Sequence, residues 1–335
     1  MALNQLRIVF GGIDLDKALR IDIESMTLAK KSNNPQLMIG ARRSMGFIQY
    51  LSGDYSGSHE TLERARDIYH KSRQPDEELH SEFSDIPIML AMHSVVSWLH
   101  GNPAESGRLY SDLESLEYQK IPARYQIFVR QLLWQISFFK RDKSELADYC
   151  DWYQHASMRE PSRLIVDYGD WVQGVSAWAR DSYDEAAALL THSIQKIEQH
   201  DTMLLPQLQV QLAEVLLLVH DERKARECLN LAEKTAKDGG RIYWEAERLR
   251  VDALVSEAEE AEIQHVMNLY GESIELARAH RAVWLEIRTR LERVRFLKRI
   301  GDTTAAIDEN DMLIAQFGQF QEYPEINEAG CLRSV

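Results

Sequence analysis

The segment GDYSGSHETLERA, at residues 53–65, joins a short polar turn to the start of an amphipathic helix. Leu62, Ala65 and the following Tyr69 are spaced by three and four residues, which places them on one helix face. The segments DSYDEA at 181–186 and GDTTAA at 301–306 have a similar order of a polar turn followed by a helix start. The pattern predicts a unit of turn and helix that recurs along the chain.

One position near the start of this helix recurs when the units are aligned on the turn. Its members are Ala18, Ser58, Ser106, Leu146, Ala186, Ala225, Val266 and Ala306. The gaps between them are 40, 48, 40, 40, 39, 41 and 40 residues, and most of the side chains are small enough for two helices to cross closely. Four residues further on, six side chains suited to burial lie between the polar Asp22 and Asn310. Polar residues are expected in end repeats, which have a neighbour on one side only.

A fixed period of this kind indicates stacked helical hairpins. We therefore predict an all-α solenoid, similar to tetratricopeptide arrays, of about eight degenerate helical hairpins with a period near 40 residues. It forms one domain over residues 1–335, in which 317–335 cap the last repeat through Phe320, Tyr323 and Ile326. The first helix of each pair is expected to line the concave surface. We predict an extended loop at 71–78, whereas 256–262, with four glutamates, fits a helix or an acidic turn.

Composition and charge limit the possible partners. The chain has 335 residues, with 39 Lys and Arg against 53 Asp and Glu, a formal charge of −14 that disfavours direct binding of nucleic acid. The clearest apolar run, at 215–219, is far shorter than the roughly 20 residues that span a membrane. Three cysteines without a Cys-x-x-Cys pair argue against a disulfide scaffold and suit a cytoplasmic protein.

Sequence motifs for catalysis are missing. The chain has neither a phosphate-binding loop nor Gly-x-Gly-x-x-Gly, and no two of its eleven histidines have the spacing of three or four residues common in helical zinc sites. The nearest pair, His93 and His100, is expected to be partly buried, and Cys150, at a packing position, is expected to be an inert buried thiol. We predict no catalytic residue, metal or cofactor, and a protein that is not an enzyme.

One register of the first helices suggests a binding groove. Two turns before the recurring position are aromatic residues, and seven residues earlier come further large or polar side chains. The resulting candidate binding residues are Arg43, Tyr50, Trp98, Gln131, Phe138, Trp171 and Trp178, with Ala91 leaving room among them. Aromatic and arginine side chains are good anchors for a peptide or another domain. Two alternatives remain: the rings fill space between neighbouring helix pairs, or they form a small-molecule pocket.

The turn and helix resemble one tetratricopeptide repeat, with matching residues at Gly46, Gly53, Tyr55, Leu62 and Ala65. The match is degenerate, because the period here is near 40 residues instead of 34.

A second resemblance emerges from short segments taken in order along the chain. They are GDY at 53–55, WLHGNP at 98–103, QLAEV at 211–215, GRIYWEAE at 240–247, IELAR at 274–278, WLEIR at 284–288 and PEINEA at 324–329. This set resembles the C-terminal helical-repeat region of bacterial predicted-ATPase signalling proteins, over residues 15 to 330. In that family the repeats follow an ATPase and a class III nucleotide cyclase or a DNA-binding domain, neither of which is in this chain.

The resemblance implies a non-catalytic regulatory and interaction module of a cytoplasmic signalling protein. Its partner would be a protein or peptide, including an ATPase or cyclase domain of the same polypeptide. The alternatives are a stand-alone adaptor that joins two proteins, and a sensor that binds a small ligand or peptide in the concave groove.

Overall fold

The structure, a computed structural model, describes residues 14–72, 85–116, 123–159, 163–199 and 203–332. These residues form sixteen α-helices and no strand. The first eight are α1 (Leu15–Ser32), α2 (Pro35–Leu51), α3 (Tyr55–Ser72), α4 (Asp85–His100), α5 (Pro103–Ser115), α6 (Ala123–Lys140), α7 (Lys143–Arg159) and α8 (Arg163–Ala179). The others are α9 (Tyr183–Ile197), α10 (Leu205–Leu218), α11 (Glu222–Gly239), α12 (Glu245–Ala258), α13 (Ile263–Ala279), α14 (Val283–Arg299), α15 (Thr303–Phe317) and α16 (Pro324–Leu332).

The helices pair into antiparallel hairpins, which confirms the all-α solenoid. Seven hairpins, from α2–α3 to α14–α15, are complete within the described residues, with α1 before them and α16 after them. All eight members of the recurring position are at most 1% exposed, so the small side chains do lie where helices cross. The first helix of an eighth hairpin would precede residue 14, outside the described part of the chain.

The polar residues of the end repeats are not on an exposed edge, although the sequence suggests one. Asp22 and Asn310 are both buried rather than facing solvent. The Ser44 hydroxyl donates to Asp22, and the Asn310 side-chain amide donates to the carbonyl oxygen of Ala329 at 3.1 Å. Because α2 and α16 cover them, these end positions carry buried hydrogen bonds and not an exposed polar edge.

The turn inside each of the seven complete hairpins contains one left-handed residue, and in five of them an Asp or Asn side chain caps the second helix. Gly53 has φ of +78°, and the amide of Asp54 donates back to the carbonyl of Gln49 at 2.9 Å, which closes α2 as a Schellman motif. Asp54 then accepts from the amide of Gly57 at 2.8 Å and caps α3. The segment 256–262 shares the left-handed residue but has no side-chain cap: α12 ends at Ala258, and Glu260 is left-handed, so it is an acidic turn.

The hairpins form two layers, and the first helices are on the inside. From Met89 to Leu99 every residue of α4 is buried, whereas α3 buries only Tyr55, Ser58, Leu62 and Ala65. The inner layer is covered on its concave side because the array curls until its two ends touch, and α4 packs against α14. An added Cβ on Gly101 would lie 2.9 Å from the Cβ of Val283, so this contact has no room for a side chain.

The C-terminal segment packs on the last hairpins. Tyr323 and Ile326 are buried, and Phe320 is half-buried against the core. The predicted loop at 71–78 falls partly on the last turn of α3, which continues to Ser72, and otherwise outside the described residues.

Candidate functional site

The ends of the array meet along a line of aromatic side chains on the inner layer. We call this line the seam. Its N-terminal side is formed by the ends of α2, α4 and α6 with the start of α3, and its C-terminal side by the starts of α12, α14 and α16. The seam aromatics are Tyr50, Tyr55, Trp98, Phe139, Tyr243, Trp244, Trp284 and Tyr323, all of them buried.

Four ring contacts join the two sides, and one of them pairs Phe139 with Trp244 at 6.1 Å. The ring centroids of Tyr50 and Tyr243 are 5.0 Å apart, and those of Trp98 and Tyr323 are 4.9 Å apart in an edge-to-face arrangement. Phe139 lies 4.4 Å from Trp284. Such pairs each contribute about 0.5–1.5 kcal/mol beyond the area that they bury, so the seam is a specific contact.

Hydrogen bonds also cross the seam, and three of them use a backbone carbonyl. The Tyr323 hydroxyl donates to the carbonyl oxygen of Trp98 at 2.6 Å, and the Tyr55 hydroxyl donates to that of Tyr243. The amide of Tyr243 donates to the carbonyl of Leu51 at 3.3 Å. Burial raises the pKa of Tyr55 and Tyr323 well above the ordinary value, so both remain protonated donors.

A cluster of charges lies on the inner faces of α10, α12 and α14, with three members buried and two, Glu214 and Glu292, partly buried. We call Glu214, Glu247, Arg250, Arg288 and Glu292 the ion cluster. Arg288 donates to both carboxylate oxygens of Glu214, at 2.7 and 2.9 Å, and Arg250 donates to Glu214 at 2.8 Å. Arg250 is fully buried and also pairs with Glu247 at 2.8 Å. The cluster therefore fixes three successive first helices to one another.

Mutual attraction keeps the ion cluster charged despite its burial. Burial opposes the charge on Glu214, but Arg250 and Arg288 outweigh it and lower the pKa of this carboxyl well below its usual value. Burial likewise opposes the charge on Arg250, whereas Glu214 and Glu247 raise its pKa. Removing one member would leave an uncompensated buried charge on its partners.

Most of the predicted groove residues lie inside the protein. Tyr50, Trp98, Gln131 and Trp171 are between 0% and 7% exposed, as is Ala91 beside them. Their side chains fill space between helix pairs and along the seam, because the curled array covers its own concave surface. In this closed arrangement they offer no open surface to a partner.

Phe138 and Trp178 are brought together, with ring centroids 5.0 Å apart. They line a narrow crevice of about 10 Å³ with Gln211 and Glu214 from α10. Gln211 is 5% exposed, and neither polar atom of its side chain has a hydrogen-bond partner among the described residues. The crevice thus combines two aromatic rings with an unused amide.

Arg43 has a structural partner. Its guanidinium Nε donates to the Asp85 carboxylate at 2.6 Å, and its side chain is only 11% exposed. The bond fastens α2 to the start of α4. Arg43 therefore does not join Phe138 and Trp178 in one site.

Three histidines group near the edge of the seam, and the sequence indicated only two of them because His59 belongs to a different helix. His59 of α3 lies between His93 and His100 of α4, with ring centroids 4.9 and 5.1 Å away. His93 is fully buried and His100 half-buried. Within the described ranges no three side chains of His, Cys, Asp or Glu are arranged to hold a metal ion.

Cys150 is buried, as predicted, and its thiol contacts the carbonyl oxygen of Val172 at 3.3 Å. Burial raises the pKa of this thiol, which disfavours the reactive thiolate.

The segments that carry the family resemblance converge at the seam and the ion cluster. QLAEV supplies Glu214, YWEAE supplies Tyr243, Trp244 and Glu247, and WLEIR supplies Trp284 and Arg288. The short motifs therefore mark one place in three dimensions. The motifs already contained the residues of the ion cluster, but the sequence alone does not show that distant motifs meet.

Comparison with known proteins supports the fold. The structure is similar to that of a Rap protein complexed with competence and sporulation factor. The TM-score is 0.52 and the identity 12%, over 96% of this chain and 81% of the Rap chain. Together with the observed helices, this likeness establishes an all-α helical-repeat solenoid. No protein-family model matches the chain, and no curated protein is similar to it in sequence. Across the described helices, none is both long and apolar enough to cross a bilayer.

Proposed function

We propose that this chain is a regulatory protein-interaction module whose inner surface is covered by the closed seam and exposed to a partner when the seam opens. The observation that supports this best is the seam itself. Two hairpin groups far apart in sequence are joined by ring contacts and hydrogen bonds, across the surface on which helical-repeat arrays commonly bind their partners.

The covered surface is incompletely satisfied, which favours a second state. The indole N–H of Trp98, the hydroxyl of Tyr50 and the amide of Gln211 are buried without a hydrogen-bond partner in the described part of the chain. A buried polar group left unpaired costs about 1–3 kcal/mol. A partner that supplied these hydrogen bonds would offset the seam interactions that opening breaks, and so would shift the population toward the open array.

The signalling context rests on sequence resemblance and on the structural neighbour. The motifs at the seam resemble those of bacterial ATPase signalling proteins, and the Rap protein of similar fold was solved with a factor bound to it. We propose that the array belongs to a cytoplasmic signalling protein in which closure is coupled to an ATPase, cyclase or DNA-binding domain. A stand-alone adaptor is the alternative.

Partner capture with closed and opened arrays tests the proposal. The wild-type chain and a Tyr55→Phe, Tyr323→Phe double variant serve as baits in extracts of the native cell, with quantitative mass spectrometry. The proposal predicts a signalling protein whose retention differs between the two baits. An unrelated stable complex, retained equally by both, would favour the adaptor. If neither bait retains a protein, the interaction function fails.

A second candidate is a sensor in which this narrow crevice widens to take a small ligand or a single inserted side chain. Gln211 offers an amide beside the rings of Phe138 and Trp178. A ligand that binds only the folded array raises its stability by RT ln(1 + [L]/Kd). A thermal-shift screen that includes a Gln211→Leu control distinguishes this sensor, because a true crevice ligand would lose its effect in that variant.

A further inference from the structure

The edge of the seam contains a chain of polar contacts that depends on a neutral histidine. Arg281, in the turn between α13 and α14, donates to the Ser56 hydroxyl oxygen at 3.4 Å. The same oxygen lies 3.0 Å from Nε2 of His100. Both contacts are satisfied when the Ser56 hydroxyl accepts from Arg281 and donates its own proton to Nε2 of His100. This arrangement requires a His100 that is not protonated at Nε2.

A proton on His100 disrupts this link. Nε2 would become a donor, so Ser56 would lose its acceptor and two cations would face one hydroxyl. The ring of His59 stacks on that of His100, parallel within 11°, with the ring centroids 5.1 Å apart. Nδ1 of His59 lies 3.2 Å from Nε2 of His93, and that pair of neutral rings shares a single proton.

We propose that the seam is a proton-sensitive contact: acidification charges His100 beside the stacked ring of His59, breaks the link to Arg281 and separates the two ends of the array. The inference rests on the closed seam described above and needs no partner. An array that binds its partner but ignores pH would contradict this inference alone.

Charges from the surrounding elements do not cancel the effect. Glu60 of α3 is the anion that acts on His100, and it is exposed. Asp54 acts on His280, whose ring lies against Gly53 across the seam. Arg66 of α3 faces His93 and is itself paired with Glu105 of α5. The positive Arg281 and Arg66 therefore add to the repulsion among protonated histidines.

The titration of the histidines agrees with this direction. Burial, followed by His59 and Arg281, lowers the pKa of His100, and burial lowers that of His280. Burial, His59 and Arg66 lower the pKa of His93 to about 3. A lowered histidine pKa stabilises the closed form fully above pH 6.5, and this stabilisation is lost as the pH falls toward the shifted pKa. Each such group changes the equilibrium tenfold per pH unit in that window.

Solvent reaches the site, so protonation needs no prior unfolding. A cavity of about 540 Å³ opens where the α2–α3 turn meets the α13–α14 turn. Its walls include Ser56, Glu60, His280 and Arg281. A change of pH is therefore sensed directly at the contact between the two ends.

Small-angle X-ray scattering between pH 8 and pH 5, with circular dichroism on the same samples, tests the inference. The wild-type chain is expected to expand while it keeps its helix content. A His100→Gln variant retains an acceptor for Ser56 and should stay compact at pH 5. The matched control is His192→Gln, because His192 is exposed on α9, and it should expand like the wild type.

Three results would overturn the inference: a wild-type chain equally compact at both pH values, expansion only together with loss of helix, or a His100→Gln variant that responds like the wild type. If His100→Gln is already expanded at pH 8, the pH midpoint of expansion is measured in a His59→Gln variant and compared with that of the wild type. A lowered midpoint of expansion supports the inference, and an unchanged midpoint contradicts it.

Discussion

Replacing Arg288 with methionine probes the ion cluster most directly. Arg288 makes two short hydrogen bonds to Glu214 and approaches Glu247 at 3.4 Å, and its side chain is only 10% exposed. Its guanidinium also lies 5.2 Å from the centre of the Trp284 ring. Methionine keeps the apolar stem of the side chain but removes all of these polar interactions.

The expected loss of stability is about 3–5 kcal/mol. Breaking a buried ion pair costs that amount because the remaining carboxylate loses its compensation while it stays shielded from water. Arg250 still pairs with Glu214, which favours the lower end of the range. Removal of the cation–π interaction with Trp284 adds about 0.5–1 kcal/mol.

Equilibrium urea denaturation followed by circular dichroism measures this loss. Arg223→Met is the matched control, because the Arg223 side chain is 74% exposed and its pair with Glu227, at 2.6 Å, should contribute about 0.5 kcal/mol or less. Adding Glu214→Gln to Arg288→Met removes the stranded charge and should restore part of the stability. If Arg288→Met cost no more than the control, or the second substitution gave no recovery, the ion cluster would not act as described.

Three further predictions concern the turn, a thiol and a buried carboxyl. Gly53→Ala should destabilise the chain by about 1–2 kcal/mol in thermal denaturation, because φ is +78° and the new methyl group would meet His280. The control is Gly107→Ala, which lies in open space on a helix and should stabilise the chain by about 0.5–1 kcal/mol. Cys150 should react with a thiol reagent much more slowly than the exposed Cys331, and equal rates in the folded protein would contradict its burial. The lowered pKa of Glu214 stabilises the fold fully above pH 4.5, and this contribution is lost as the pH falls below that value, so Glu214→Gln should flatten the pH dependence of unfolding in acid.

The repeat was predictable because it depends on local chemistry. A left-handed turn residue, a capping Asp or Asn and a small side chain at the crossing recur in the sequence, and all eight crossing positions are buried. At Arg141, Asp181, His220 and Glu260 a residue other than glycine adopts the left-handed conformation, so the turn remains when its usual residue is absent.

Closure of the array was not predictable from that pattern. The spacing of a repeat fixes which helices pair, but small rotations summed over seven hairpins determine whether the ends meet. Tyr50 and Trp98 therefore looked like groove residues, because both are large aromatic residues on first helices. Only Tyr243 and Tyr323, some 190 and 220 residues further along, convert that surface into a core.

Small-angle X-ray scattering of the wild-type chain at pH 8 tests the closed seam most directly. A compact 335-residue protein has a radius of gyration of about 20 Å. A closed seam predicts a value near that figure, and an increase when Tyr55 and Tyr323 are both changed to Phe. A wild-type radius well above 20 Å, with a pair-distance distribution extended like that of an open superhelix, would contradict it.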